Sequence, residues 1–291
     1  MNGVVLINKP SGVTSFKVTA AVKRKLNIKK AGHAGTLDPL ASGVLPVFTG
    51  SATRFIDLND SYPKRYIAGF KLGVTTDTLD CEGEILSTLD VNIKQQDLLD
   101  LLEMFTGVIS QTPPMYSAIK QNGVPLYKLA RQGKTVDVKS RKITIHSLKL
   151  KSFDGVCGVI DVLCSKGTYI RTLIADIGEK LGCGAHMISL TRTMSNGFDI
   201  SNCVSLDDFL QSQPDDLKGF HPADFAVKEY ASAHITLNQA RLFKNGGGLF
   251  FERLKTDGES EYYRVYSPEG FVGLGVPSED HTLLMPKCIM N

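Results

Sequence analysis

The residues best placed for chemistry lie in one short stretch, Gly32-His33-Ala34-Gly35-Thr36-Leu37-Asp38-Pro39-Leu40-Ala41-Ser42-Gly43-Val44-Leu45-Pro46. Asp38 is its one acid, set among apolar residues and glycines. A carboxylate in such surroundings is partly desolvated, so it needs a cationic partner or has a chemical use. The glycines permit turns that alanine does not, or the close approach of a ligand. The same residues also fit a plainer role, with Asp38 capping a turn before Pro39. Residue types alone leave both readings open.

The charge pattern narrows the choice of partner. The chain has 291 residues and a formal net charge of only +3. Residues 1–54 nevertheless hold eight Lys or Arg against Asp38 alone, and residues 115–152 hold nine against Asp137. Residues 76–103 carry eight acids against Lys94, and 199–224 carry six against Lys218. Segregated basic stretches fit a polyanion, whose counterions are released when Lys and Arg replace them. They also fit solvated helix faces.

Other classes fall away. No apolar run approaches the roughly 20 residues that span a bilayer, and Val4–Ile7 is too short for a signal peptide, so no membrane partner is expected. Six dispersed cysteines without a C-x-x-C pair suit neither a zinc site nor a disulfide scaffold. Reduced thiols in a cytoplasmic protein are the simpler expectation. The P-loop, H-E-x-x-H and G-x-S-x-G signatures are absent.

The elements that must position these residues can be read in outline. Val4–Asn8 reads as a strand, followed by a helix with Ser15 as N-cap and Val18, Val22 and Leu26 on one face. Residues 31–46 read as an inward-packing loop. Tyr66, Ala68, Phe70, Leu72 and Val74 alternate as a strand with one buried face. Ile93–Phe105 has helical spacing after an Asn92 cap, and Leu126–Gln132 reads as a short helix. Lys142–Leu150 and Val156–Cys164 form a strand pair around Asp154-Gly155, and Thr168–Leu181 reads as a helix. Near 225–232 the character changes to short strands at Tyr262–Tyr266, Phe271–Val276 and Thr282–Ile289. The expected division is 1–228 and a small, mostly β unit at 229–291. Strands and helices without βαβα regularity indicate an α+β fold with a mixed or antiparallel sheet.

The stretch around Asp38 resembles the catalytic motif of the TruB family of pseudouridine synthases, Gly-His-x-Gly-x-Leu-Asp-Pro-x-Ala-x-Gly-Val-Leu, at every fixed position. Four further stretches resemble that family's other motifs, in order. They are Asn8-Lys9-Pro10-Ser11-Gly12-x-Thr14-Ser15; Lys64-Arg65-Tyr66 with Thr76-Asp77-Thr78-x-Asp80; Pro113-Pro114-Met115-Tyr116-Ser117-Ala118-x-Lys120; and Cys164-Ser165-Lys166-Gly167-Thr168-Tyr169-Ile170-Arg171.

The resemblance implies a pseudouridine synthase fold, with a mainly antiparallel mixed sheet flanked by helices and a PUA-like C-terminal domain. It implies isomerisation of the T-loop uridine of tRNA (position 55), with the tRNA T-arm as partner, no cofactor, no metal and a monomer. Asp38 matches the catalytic aspartate, Tyr66 the aromatic that stacks on the base, and Arg171 the arginine that pairs with the aspartate. Tyr169 and Leu190 match residues lining the uracil pocket, and His33 a histidine that engages the flipped nucleotide. The segment 115–152 matches an RNA-gripping thumb, which makes Lys120, Lys128, Arg131 and Arg141, together with Lys9, candidate RNA contacts. The expected Asp38–Arg171 contact is bidentate, and the acidic stretches, apart from Asp77 and Asp80, are expected away from the RNA path. Two rival readings are a non-catalytic RNA-binding or tRNA-folding protein on the same scaffold and an RNA-guided synthase subunit.

Overall fold

A computed structural model describes residues 1–290 except 59–61, 118, 122, 131 and 135, and leaves aside the side chain of residue 120. Its elements in chain order are β1 (Gly3–Lys9), α1 (Ser15–Lys25), β2 (Ala31–His33), β3 (Ser42–Thr49), β4 (Lys64–Leu72), β5 (Val74–Thr76), β6 (Ile85–Thr88), α2 (Gln95–Met104) and β7 (Gly107–Gln111). There follow β8 (Lys120–Gln121), β9 (Val124–Pro125), α3 (Leu126–Ala130), β10 (Arg141–Phe153), β11 (Cys157–Cys164), α4 (Ile170–Lys180) and β12 (Ala185–Ser195). The chain continues through β13 (Phe198–Asp199), β14 (Val204–Ser205), α5 (Leu206–Gln211) and β15 (Phe220–Pro222). A second group comprises β16 (Ala231–His234), α6 (Leu237–Lys244), β17 (Leu249–Phe250), β18 (Lys255–Thr256), β19 (Tyr263–Ser267), β20 (Gly270–Pro277) and β21 (Leu283–Ile289).

The fold is α+β, as its patterning indicates. The main sheet runs β14-β1-β3-β12-β4-β11-β10-β7, with β2, β13 and β15 attached at its sides. Within it only β1–β14 and β3–β12 are parallel, so the sheet is mixed and mainly antiparallel. A second, six-stranded sheet contains β16 to β21.

Strand periodicity explains how one sheet supports several cores. In β1, Val5 and Ile7 pack with Val18 and Val22 of α1, while Val4 and Leu6 pack with Phe48, Ala52 and Phe55. On β4, Tyr66, Ala68, Phe70 and Leu72 share a face and join Ile160, Val162, Leu173, Ile174 and Ile177. Their alternation is the one visible in the sequence, and α4 covers that face. The second sheet is docked on the first: Leu274 and Cys288 belong to the same buried cluster as Ala52 and Phe55. Among the described residues no helix is long and apolar enough to cross a membrane.

Three local expectations are corrected. The 31–46 stretch is not all loop, because β2 and the first five residues of β3 lie within it and β3 pairs with β1 from Gly3↔Thr49 to Lys9↔Gly43. Gly43, the second residue of that strand, lies at φ +107°, and a Cβ there would lie 2.1 Å from the Arg192 carbonyl oxygen. The glycine admits a neighbouring backbone, not a ligand. The N-cap of α1 is Thr14, whose hydroxyl accepts from the Lys17 N–H, and Ser15 is thereby free for another bond. Helix α2 starts later than expected, capped at Lys94, whose N–H donates to the Asp97 carboxylate at 3.2 Å.

Candidate active site

Asp38 stands on the β2–β3 loop, and the residues just after β1 lash that loop down. The Ser15 hydroxyl donates to the Leu37 carbonyl (3.0 Å) and accepts from the Leu37 N–H (2.9 Å). The Ser11 hydroxyl donates to the Leu40 carbonyl at 2.7 Å, and the Gly12 N–H to the Pro39 carbonyl at 2.8 Å. Lys9 is fully buried, with its ammonium donating to the carbonyls of Pro10, Val13 and Pro39. The N-terminal motif is therefore a clamp on the loop that carries Asp38. Lys9 does not present its charge to RNA, which corrects its expected role as a contact. Charge tallies cannot register burial, and Lys9 counted there like any surface lysine.

Arg171 lies in the first turn of α4, with its side chain only 6% exposed. Its Nε is 3.0 Å from Asp38 Oδ2, and its Nη1 is 3.4 Å from Asp80 Oδ2. The remaining donors go to the carbonyls of Thr78 (2.9 Å) and Tyr116 (2.8 Å). The expected bidentate pair with Asp38 is thus a single-point contact, because the fork of the guanidinium is turned toward Asp80 and the backbone. Asp80 is itself fixed: its Oδ1 accepts from the Thr78 hydroxyl at 2.6 Å and the Glu82 N–H at 3.1 Å. Sequence reasoning placed Asp80 in a motif without giving it a role; its spacing after Thr78 was the available signal.

This arrangement sets the protonation of Asp38. Burial raises its pKa above the ordinary carboxylate value and Arg171 opposes that rise. Asp80 adds to the rise, and Lys9 lowers it. One guanidinium serves two carboxylates, so Asp38 is only partly compensated. Lys9, desolvated, is itself lowered to about 8.

Tyr66 lies on β4 between two partner strands, opposite Val162 on β11 and Arg192 on β12. The ring is 8% exposed and lines the cleft. Burial raises the phenol pKa, while the charge and hydrogen bond of Arg192 act the other way. Arg192 is almost fully buried and donates from Nε and Nη2 to the Val44 carbonyl (2.9 and 2.8 Å) and from Nη2 to the Gly35 carbonyl (2.8 Å). It ties the Tyr66 strand to both sides of the Asp38 loop. It is the main site residue that sequence reasoning did not single out. Leu190, two residues earlier on the same face of β12, pairs with Ala68 and lines the cleft.

The cleft measures about 890 Å³ and brings together Asp38, Tyr66, Arg171, His33, Tyr169 and Leu190. His33 has its Nδ1 buried without a hydrogen-bond partner among the described residues, and burial followed by Arg192 lowers its pKa, keeping the ring neutral. Tyr169 occupies the N-cap position of α4, with the Arg141 guanidinium 5.2 Å from its ring centroid. Arg141 also donates to the Gly167 carbonyl, so it shapes the cleft wall. Lys128 is exposed on α3. Arg131 and the Lys120 side chain lie outside the described residues. Residues from Arg141 onward belong to β10 and pair with β7 and β11, so only the earlier part of 115–152 stands apart from the sheet. Glu82 lines the cleft as well, against the expectation for the acidic stretch. The Thr78–Glu82 turn that presents Asp80 brings it there.

Comparison with solved structures defines the class. The chain superposes on a chain from a Cbf5–Nop10–Gar1 complex with a TM-score of 0.74 and 26% identity, covering 99% of this chain and 85% of that one. It also superposes, at a TM-score of 0.74 and 24% identity with the same coverage, on a chain of an H/ACA ribonucleoprotein bound to a substrate RNA containing 2′-deoxyuridine. The architecture is that of the pseudouridine synthases.

The particular family follows from sequence. The N-terminal domain model of the TruB family pseudouridylate synthases matches residues 23–170, and the C-terminal domain model of tRNA pseudouridylate synthase B matches 171–218. A Clostridium perfringens (strain 13 / Type A) protein named tRNA pseudouridine synthase B is 44% identical over 287 residues, 96% of each chain. One of the same name from Chromobacterium violaceum is 44% identical over 295 residues, covering 100% of this chain and 95% of that one. The chain belongs to the TruB family.

Proposed function

We propose that this protein is a tRNA pseudouridine synthase that converts the T-loop uridine, tRNA position 55, into pseudouridine. The observation that carries the reading is the Asp38 carboxylate held 3.0 Å from the Arg171 guanidinium, in a cleft that Tyr66 also lines. The reaction breaks N1–C1′, turns the uracil and joins C5 to C1′; the proton leaves C5 and N1 gains one. Asp38 is the group that acts on the glycosidic bond, as nucleophile or as base toward the sugar. Tyr66 supplies an aromatic face for the base and a hydroxyl for proton transfer at C5. A uridine stacked in a folded tRNA reaches this cleft only by flipping out.

Identity supports tRNA over a guided substrate: the relatives named tRNA pseudouridine synthase B are 39–44% identical, against 26% for the Cbf5 complex chain. In this reading 1–228 is the catalytic unit, 229–291 a PUA-like unit, and the protein acts as a cytoplasmic monomer. The exposed Lys128 and its neighbours on the 115–140 segment meet phosphate.

The test is tritium release from unmodified tRNA transcript labelled at uracil C5, with native protein and Asp38→Asn side by side. Release by the native protein alone, mapped to position 55, is expected. Release by both or by neither removes Asp38 from the chemistry.

A further inference from the structure

The lip of the cleft carries an aromatic ring that the reading above leaves without a task. Phe16 is the second residue of α1; it is 77% exposed, yet it lines the same cleft as Asp38 and Tyr66. A singly exposed apolar side chain is ordinary, so exposure alone says little. Three other features single Phe16 out.

The first is rigidity. Ser15, its neighbour, bonds both the N–H and the C=O of Leu37, the residue before Asp38. The ring and the carboxylate therefore ride on one clamped unit. The second is charge. Helix α1 carries no acid and exposes Lys17, Lys23 and Arg24, while its Lys25 ammonium is engaged with the Leu210 and Ser212 carbonyls, so a phosphate chain passing Phe16 meets three exposed cations. The third is contrast with the other aromatics of the cleft. Tyr66 is buried, Tyr127 is half-buried, Tyr116 donates to the Asp77 carboxylate at 3.2 Å, and the Tyr169 ring is covered by Arg141. Phe16 offers a ring largely open to solvent.

We propose that Phe16 is a stacking platform for an unpaired base of the substrate RNA, the base of a loop nucleotide flanking the uridine that enters the Asp38 cleft. A phenyl ring has no hydrogen-bonding group, and every base has a π-face, so Phe16 reads that the neighbour is unpaired and not which base it is. Helical RNA keeps its bases stacked on one another and cannot lend one to the ring. The platform thus favours loop uridines over uridines in stems. This inference rests on the synthase reading.

The experiment measures binding of a T-arm stem-loop transcript to Asp38→Asn protein, alone and combined with Phe16→Ala or Phe16→Tyr. The transcripts are the parent and a series with one abasic loop nucleotide each. Phe16→Ala is expected to weaken binding roughly 5- to 100-fold, with Phe16→Tyr close to the parent. At one loop position other than the target, the abasic transcript should show the same loss, and Phe16→Ala should then add nothing. Unchanged binding by Phe16→Ala, or losses that add at every loop position, overturns the platform and leaves the synthase reading standing. A parent protein that neither binds nor modifies the transcript overturns the T-arm reading, and the platform with it. Since the ring is exposed, Phe16→Ala should melt with the native protein, which separates a lost contact from a lost fold.

Discussion

Arg171 holds two carboxylates at once: its Nε is 3.0 Å from Asp38 Oδ2 and its Nη1 is 3.4 Å from Asp80 Oδ2. Asp80 therefore acts on Asp38 in two opposing ways. It anchors the guanidinium that stabilises the Asp38 anion, and it also places a second negative charge nearby that raises the Asp38 pKa.

Those effects separate in two variants. Asp80→Asn keeps a side chain of the same shape and removes the charge. The acidic limb of the pH–rate profile should then move to lower pH, because the like-charge contribution is gone. Asp80→Ala also removes the anchor, and turnover should fall about 10- to 100-fold if Arg171 loses its alignment. Single-turnover rates from pH 4 to 9 test both. An acidic limb that stays in place in Asp80→Asn rules out Asp80 as a contributor to Asp38 titration.

Lys9 gives a second pH signature, in stability. Its folded pKa is lowered to about 8 from 10.5, so between those values the unfolded chain binds more protons. Stability should therefore rise with pH across that window, as the burden of a buried charge is relieved. Below pH 8 the burden is present in full. Relative to Lys9→Met, which lacks this titration, the native protein should gain about 1–3 kcal/mol between pH 8 and 10.5. Urea midpoints across the window measure it, and parallel pH profiles for the two proteins refute it.

Arg192 tests how the site is held. Its guanidinium meets the carbonyls of Val44 and Gly35, which flank the Asp38 loop, and the Tyr66 hydroxyl across the strands. Arg192→Met removes these bonds to buried carbonyls, at a cost of about 2–5 kcal/mol. Arg192→Lys keeps a charge but not the fork, so it should recover part of the stability and little of the turnover. An Arg192→Met protein with native stability and native kcat would show that the loop holds itself.

Legibility in the sequence followed the range of the interactions. Tyr66 is visible because strand alternation marks it, Leu190 only through the family resemblance, and Asp38 because a lone acid in an apolar stretch is unusual. Strand β3 is hidden by Gly43 and Pro46; it exists through pairing with β1, a contact about 40 residues distant. Arg192 was hidden for the same reason, since its acceptors lie some 150 residues away and an arginine in a strand looks like a surface residue. Lys9 was misread because composition counts charge without its surroundings. Ser15 was read as a cap, and Thr14 took that bond because the Ser15 hydroxyl is engaged with Leu37.

Asp176 offers a test away from the cleft. It lies on α4, and burial, with Glu179 adding to it, raises its pKa to about 6. The folded state thus holds a proton on Asp176 that the unfolded chain gives up near its ordinary value of 3.8. Stability contributed by the protonated form is complete below pH 3.8 and is lost as pH rises through 6, so at pH 7 the charged carboxylate destabilises the fold. Asp176→Asn should therefore stabilise the protein at pH 7 by about 1–2 kcal/mol and have little effect near pH 4. Denaturant midpoints at both pH values decide the matter. A variant that is destabilised equally at pH 4 and pH 7 would mean that packing or hydrogen bonding, not charge, governs Asp176.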